Sequence, residues 1–148
     1  MTGDRAAPAA VIDTNVWLDL FLFHDAQAQN LAQALQRGAL RAVVNEGTQA
    51  ELRAVLARPH LRARLAEQEL EASLQAWCAQ AASVAVTGTA PWRCRDADDQ
   101  KFLDLAYAAG AAYLFTKDRA LLALARKAHR AGLQIRAPRD FAPGPATV

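Results

Sequence analysis

The sequence is short of nearly everything that would staple a chain or anchor it. Its two cysteines, Cys78 and Cys94, stand sixteen residues apart with no CxxC pair and no histidine at metal spacing. That supports neither a disulfide framework nor a zinc site, and it favours a reducing, cytoplasmic setting. No uninterrupted apolar run approaches the roughly 20 residues a membrane helix needs. Residues 1–10 carry Asp4 and Arg5 and lack an apolar stretch of signal-peptide length, so the protein is expected to be soluble and unprocessed. Lysine is scarce, 3 residues against 14 arginines, while alanine fills 36 positions, a bias that reads as nucleotide composition more than chemistry. Nor is there much excess charge: the formal net value of +2 gives no strong nucleic-acid signal by itself. With 148 residues, 53% hydrophobic and 22% charged, the chain is too apolar for intrinsic disorder. It suffices for one core that hides roughly 68–70% of the unfolded surface.

Along the chain, residues 9–12 form a short apolar run ending at Asp13-Thr14-Asn15, the pattern of a buried strand stopping at a polar loop. Apolar residues three and four apart (Leu18, Leu22; Leu31, Leu35) predict two helices between residues 16 and 38, broken near His24-Asp25. Residues 40–44 read as a second strand. Thr48-Gln49-Ala50-Glu51 has capping-box form, which predicts a helix with Glu51 in its first turn, stopping at Arg58-Pro59. A helix is expected over 61–82, with Leu70, Leu74 and Trp77 on one face as core or dimer surface, then a third strand over 83–86 and a loop over 87–95. Asp96-Ala97-Asp98-Asp99 suits the first turn of a helix bearing Phe102, Leu103 and Ala106. A fourth strand (112–116), a helix (118–131) closed by Gly132 and a fifth strand (133–135) come next, and the tail from Pro138 is expected to be irregular. Strands alternating with helices, without hairpin signals, predict an α/β fold with one central, mainly parallel sheet of about five strands covered on both faces.

Four carboxylates fall at or near the carboxyl ends of these strands, where open α/β sheets build their sites: Asp13, Glu51, Asp99 and Asp118. With no basic residue at fixed spacing to neutralise them, four converging acids repel one another unless a hard cation holds them. Ligation by oxygen alone points to Mg²⁺ or Mn²⁺ rather than zinc. Asp104, five residues beyond Asp99, is expected off that face and solvated, and His24, His60 and His129 show no paired ligand spacing. Trp17 is expected to pack under the site.

These same segments carry a family resemblance. Val11-Ile12-Asp13-Thr14-Asn15-Val16, Glu51-Leu52 with Val55 to Pro59, Arg95 to Asp99 with Phe102-Leu103 and Ala106, Ala111 to Asp118, and Pro138 to Phe141 together resemble the PIN domain family of Mg²⁺/Mn²⁺-dependent nucleases. Within it the chain is similar to the branch of toxins from toxin–antitoxin pairs. Each segment alone is weak, whereas four acids in order at spacings of 38, 48 and 19 residues make a specific signature. The resemblance spans residues 11–141. It implies a PIN-like domain over 9–141 with tails at 1–8 and 142–148, and an acidic tetrad of Asp13, Glu51, Asp99 and Asp118 as metal ligands and catalytic residues. Asn15, Thr116 and Asp96 would support them. It further implies hydrolysis of an RNA phosphodiester leaving a 5′-phosphate and a 3′-hydroxyl, an antitoxin partner and a homodimer. Family members often carry proline where Ala97 stands and glycine where Lys117 stands; Lys117 either approaches a phosphate or weakens metal affinity.

Setting aside six site acids (the tetrad, Asp96 and Asp98) leaves nine of the fifteen acids against seventeen lysines and arginines, a balance that suits a polyanionic partner. Arg53 and Arg58 begin a basic segment beside Glu51 that runs on through His60, Arg62 and Arg64. Arg93 and Arg95 flank Trp92 just before Asp99, and Lys117 precedes Asp118. These are candidate RNA contacts, with Trp92 stacking on a base. The alternatives are a solvated helix face for the arginines and a loop plug for Trp92. Two other functions stay open: an RNA- or protein-binding module with a weakened site, and a phosphatase acting on small substrates.

Overall fold

The structure, a computed structural model, describes residues 7–63, 69, 72, 75, 81–85 and 88–142. Five strands, β1 (Ala9–Ile12), β2 (Arg41–Val44), β3 (Ala81–Ser83), β4 (Tyr113–Phe115) and β5 (Gln134–Arg136), form one sheet in the order β3-β2-β1-β4-β5. All four pairings are parallel. Alternate residues point to opposite faces, and both faces are apolar. Ala10 and Ile12 join Val16, Leu31 and Leu52 on one side, and Ala9 and Val11 join Phe102, Leu103 and Leu121 on the other. Covering on both faces is why the strands read as unbroken apolar runs rather than alternating ones.

The helices lie where the periodicity places them, with differences at their ends. The stretch after β1 is α1 (Thr14–Phe21) and α2 (Gln29–Gln36), separated near His24 and Asp25 by a 3₁₀ turn that the Asp25 carboxylate caps. Helix α3 (Glu46–Leu56) starts earlier than the expected Thr48 cap. Asn45 ends β2 and caps the helix instead, its Oδ1 accepting the Thr48 N–H at 3.0 Å while Thr48 Oγ1 accepts the Asn45 N–H at 3.1 Å. Glu51 therefore lies in the second turn, one turn further from the strand end than its sequence position suggests. Pro59 occupies the first position of α4 (Pro59–Arg62), where a missing N–H costs nothing.

The third strand begins two residues before the expected span, because Ala81–Ser83 take their register from Ala42–Val44; Val86 lies outside the described residues. Leu70, Leu74 and Trp77 lie outside them too. A 3₁₀ turn (Ala97–Asp99) leads into α5 (Gln100–Ala108). The single helix expected over 118–131 is two, α6 (Arg119–Leu122) and α7 (Ala125–His129), since Leu124 at φ −94° and ψ 3° leaves helical geometry; Gly132, at φ +88°, closes the second. The expected irregular tail starts with order. Pro138–Asp140 make a 3₁₀ turn, and buried Phe141 packs edge-on to Tyr113 and Phe115 at 5.7 and 5.3 Å.

The strand order places the site. The chain runs outward from β1 to β2 and β3 on one side, then returns to add β4 and β5 on the other, so the order reverses between β1 and β4. The crevice at the carboxyl ends of two such strands is where open α/β sheets bind ligands. Here those ends lead directly into Asp13 and Thr116. Because Asn45, not Thr48, caps α3, Asn45→Ala should lower the unfolding free energy by about 0.5–2 kcal/mol in chemical denaturation. An unchanged value would return the cap to Thr48.

Candidate functional site

Asp13 follows β1 and is 4% exposed. Its backbone N–H donates to the Phe115 carbonyl at 3.0 Å, extending the β1–β4 ladder by one bond, and Thr116 Oγ1 donates to its Oδ2 at 2.7 Å. The same Thr116 oxygen accepts the Asp118 N–H at 3.0 Å. One fully buried hydroxyl thus fixes both acids that flank the switch point. Asp118 caps α6, its Oδ1 accepting the Ala120 N–H at 2.7 Å. Burial raises the Asp13 carboxyl above its ordinary range, with further upward pushes from Glu51 and Asp118; the Thr116 hydroxyl and the Asn15 N–H pull against them. Asn15 itself is exposed.

Asp96 and Asp99 come from the other side of the crevice. Asp96 caps the 3₁₀ turn by accepting the Asp98 N–H at 3.0 Å, which delivers Asp99 inward. Carboxylate oxygens of Asp96, Asp99 and Asp118 lie within 4.8 Å of one another. Asp99 Oδ2 is buried and, among the described residues, has no hydrogen-bond partner. Burial and the adjoining Asp118 carboxylate, close enough to share a proton with it, push the Asp99 carboxyl up to about 7, with Asp13 and Asp96 adding smaller shifts of the same sign. A bare acceptor in a nest of acceptors lacks a positive partner. An all-oxygen donor set at this spacing fits a hard divalent cation.

Glu51 sits apart from that trio. Thr14 Oγ1 donates to its Oε2 at 2.6 Å, and the Lys101 ammonium pairs with its Oε1. Of the tetrad, then, Asp99 and Asp118 come together with Asp96, placed in support by the sequence. Asp13 is coupled to them through Thr116 and Glu51 stands behind Lys101. Lys101 corrects the expectation that no base neutralises the acids: α5 carries it toward α3, a proximity that no sequence spacing encodes. Lys117 pairs with buried Asp19 on α1, a partner its position beside Asp118 does not suggest.

The loop over residues 88–95 is held from α5. Gln100 accepts the Cys94 N–H at 2.7 Å and donates to the Trp92 carbonyl at 3.0 Å and to Asp104 at 2.9 Å, while Asp104 accepts the Ala90 N–H at 2.8 Å. Asp104 is therefore a brace rather than a solvated acid, because the loop's unpaired amides need acceptors. Trp92 is half-buried and meets Tyr107 edge-on at 5.6 Å, the packing of a loop plug. Arg53, Arg58, Arg93 and Arg95 are exposed, and Trp17 is buried and stacked on Phe21 at 5.3 Å.

The family model described as PIN domain matches residues 9–120, which takes in all four tetrad positions. No curated protein matches the chain. No helix among the described residues is long and apolar enough to cross a membrane.

The raised Asp99 carboxyl fixes a pH dependence. Between its ordinary 3.8 and about 7 the native state keeps a proton that the unfolded chain releases. The stability it contributes is full below the lower value and is lost as pH rises through the upper one. In chelator, denaturation should show the wild type losing stability between about pH 4 and pH 8, and Asp99→Asn should flatten that fall and equal or exceed the wild type near pH 8. An Asp99→Asn protein clearly less stable near pH 8 would make Asp99 a structural acid.

Proposed function

The chain belongs to the PIN domain family, and on that footing we propose that it is a Mg²⁺- or Mn²⁺-dependent endoribonuclease, the toxin half of a toxin–antitoxin pair. The observation that carries the reading is the buried, partnerless Asp99 Oδ2 inside a group of carboxylates at ligand spacing. Burying a charge without a partner is expensive, so near neutral pH and above, where the proton is leaving Asp99, a cation is the partner that relieves the arrangement.

Asp99, Asp118 and Asp13 are the residues assigned to hold the ion, with Asp96 beside them. When bound, a divalent cation neutralises charge on the scissile phosphate and lowers the pKa of an attacking water. The remaining work falls to side chains. Thr116, donating to Asp13, fixes which carboxylate oxygen faces the crevice. Glu51, held at both oxygens by Thr14 and Lys101, is the residue we assign to orienting the attacking water or to holding a second ion. Lys101, partly exposed, presents a fixed positive charge where a phosphate oxygen approaches Glu51. Asn15, exposed at the start of α1, is available to the substrate.

Two measurements test this reading. Mn²⁺ should raise the melting temperature by mass action, by an amount worth about 2.7 kcal/mol at one hundred times Kd, and Asp99→Asn should remove most of the rise. Asp13→Asn should abolish cleavage of single-stranded RNA while leaving RNA affinity within a small factor, since acids repel the backbone that bases attract. No Mn²⁺-dependent rise in the wild type, or equal loss of cleavage and affinity in a folded Asp13→Asn protein, would overturn it. A small DNA-binding protein encoded in the neighbouring upstream reading frame would favour the toxin role.

A further inference from the structure

On the flank of the sheet opposite α3, helix α7 and the edge strand β5 enclose an open groove of about 410 Å³. Arg126, His129 and Arg130 line it from the helix side and Arg136 from the strand, over a floor that includes Ala125 and Ile135. The three arginines and His129 are exposed, no acid lines the groove, and none of its cations forms an ion pair among the described residues.

Cations in the last turn of a helix are ordinarily explained by its dipole, and that accounts for Arg126 and His129. It does not account for Arg136, which comes from a strand and faces the same space. Three arginines kept close without a counter-charge repel one another, and their planar heads match phosphate oxygens. The place of Arg136 gives the groove its direction. Its residue pairs in register with Phe115, and its carbonyl accepts the Thr116 N–H at 3.0 Å, so it lies at the carboxyl edge one strand away from the threonine that holds Asp13. Arg136 thus marks the end of the groove nearest the acids, and the rest of the lining lies along β5 and α7.

We propose that this groove binds the phosphodiester backbone of a single nucleic-acid strand, carrying the phosphates that flank the one held at the acidic crevice. The assignment rests on the nuclease reading and adds a path to it, distinct from the Arg53 to Arg64 segment and from the Trp92 loop, whose tryptophan is occupied with Tyr107. A strand is favoured over an acidic protein segment because Arg136, at one end of the groove, lies on the strand next to the one that leads into Thr116 and Asp118, where carboxylates repel such a segment. A phosphodiester strand could place one phosphate at the acids, were a cation held there, and the neighbouring phosphates on the arginines.

The test is binding of a labelled single-stranded RNA, and of DNA of the same sequence, to the full chain in chelator, so that cleavage is not required. Replacing the three residues together (Arg126→Ala, Arg130→Ala, Arg136→Ala) should weaken RNA binding on the order of tenfold at low salt and flatten log affinity against log salt by about 0.7 for each phosphate that is no longer neutralised. Lysine at the same three positions should restore most of the slope, and the Mn²⁺-dependent rise in melting temperature should be intact in both variants. DNA bound with an equal slope and an equal loss supports backbone recognition; the two strands differ only where the 2′-hydroxyl is read. Unchanged affinity and slope in the alanine variant, with RNA still cleaved by the wild type, would overturn the groove alone. A wild type that neither binds nor cleaves RNA would overturn both readings. Binding of a polyglutamate peptide that falls with these substitutions while RNA binding does not would assign the groove to an acidic protein and overturn the proposal.

Discussion

Parallel pairing of β1 with β4 is the constraint on which the rest of the molecule depends. Those strands are neighbours in space but about a hundred residues apart in the chain, and their register sets Ile12 against Phe115. The residues that come next on each strand must then emerge side by side. They are Asp13 on one and Thr116 with Asp118 on the other, so the ladder that stabilises the sheet also aims the acids. Both faces of the pair are buried against different neighbours, so a shift of one residue would move each side chain to the opposite face and into packing that does not match its size. A crevice built on such a pair is rigid by the same forces that fold the protein.

That rigidity is set against a repulsive load. Burial raises the proton affinity of Asp13 and of Asp99, Asp118 adds to both and Asp13 and Asp96 add to that of Asp99, while of the tetrad acids only Glu51 is paired with a lysine among the described residues. Without a cation, the crevice relieves itself by holding a proton at Asp99. A divalent ion would displace that proton, so metal affinity and acidity are linked. Membership of the PIN domain family and an oxygen left without a donor among the described residues are both compatible with a divalent cation in the crevice.

Much of this is legible in the sequence, for identifiable reasons. Asp13 and Asp118 end apolar runs, and a strand buried on both faces is a short apolar run by necessity; the five parallel strands and the position of the crevice follow from that. Helix starts are harder to read. Thr48 resembles a cap because Glu51 lies three residues on, yet Asn45 stands three residues before Thr48 and makes the same motif about one turn earlier by accepting the Thr48 amide. The partners of Lys101 and Lys117, and the Ala90 amide that Asp104 accepts, have no local signal, because each is brought near only by the fold. The basic residues of α7 and β5 carry no joint signal for the same reason: a helix end and an edge strand become one surface only after the sheet is ordered.

Asp118 shows how tightly two demands are packed into one side chain. Its Oδ1 is committed to the Ala120 amide as the cap of α6, which leaves Oδ2 for the crevice. Asparagine or serine would keep the cap and lose the charge; glutamate would keep the charge and lose the cap, its longer stem overshooting the helix end. Of the twenty side chains, aspartate alone meets both conditions. This position therefore tolerates less variation than either requirement would impose separately, and a lineage that no longer needed the charge would still have reason to retain a capping residue there.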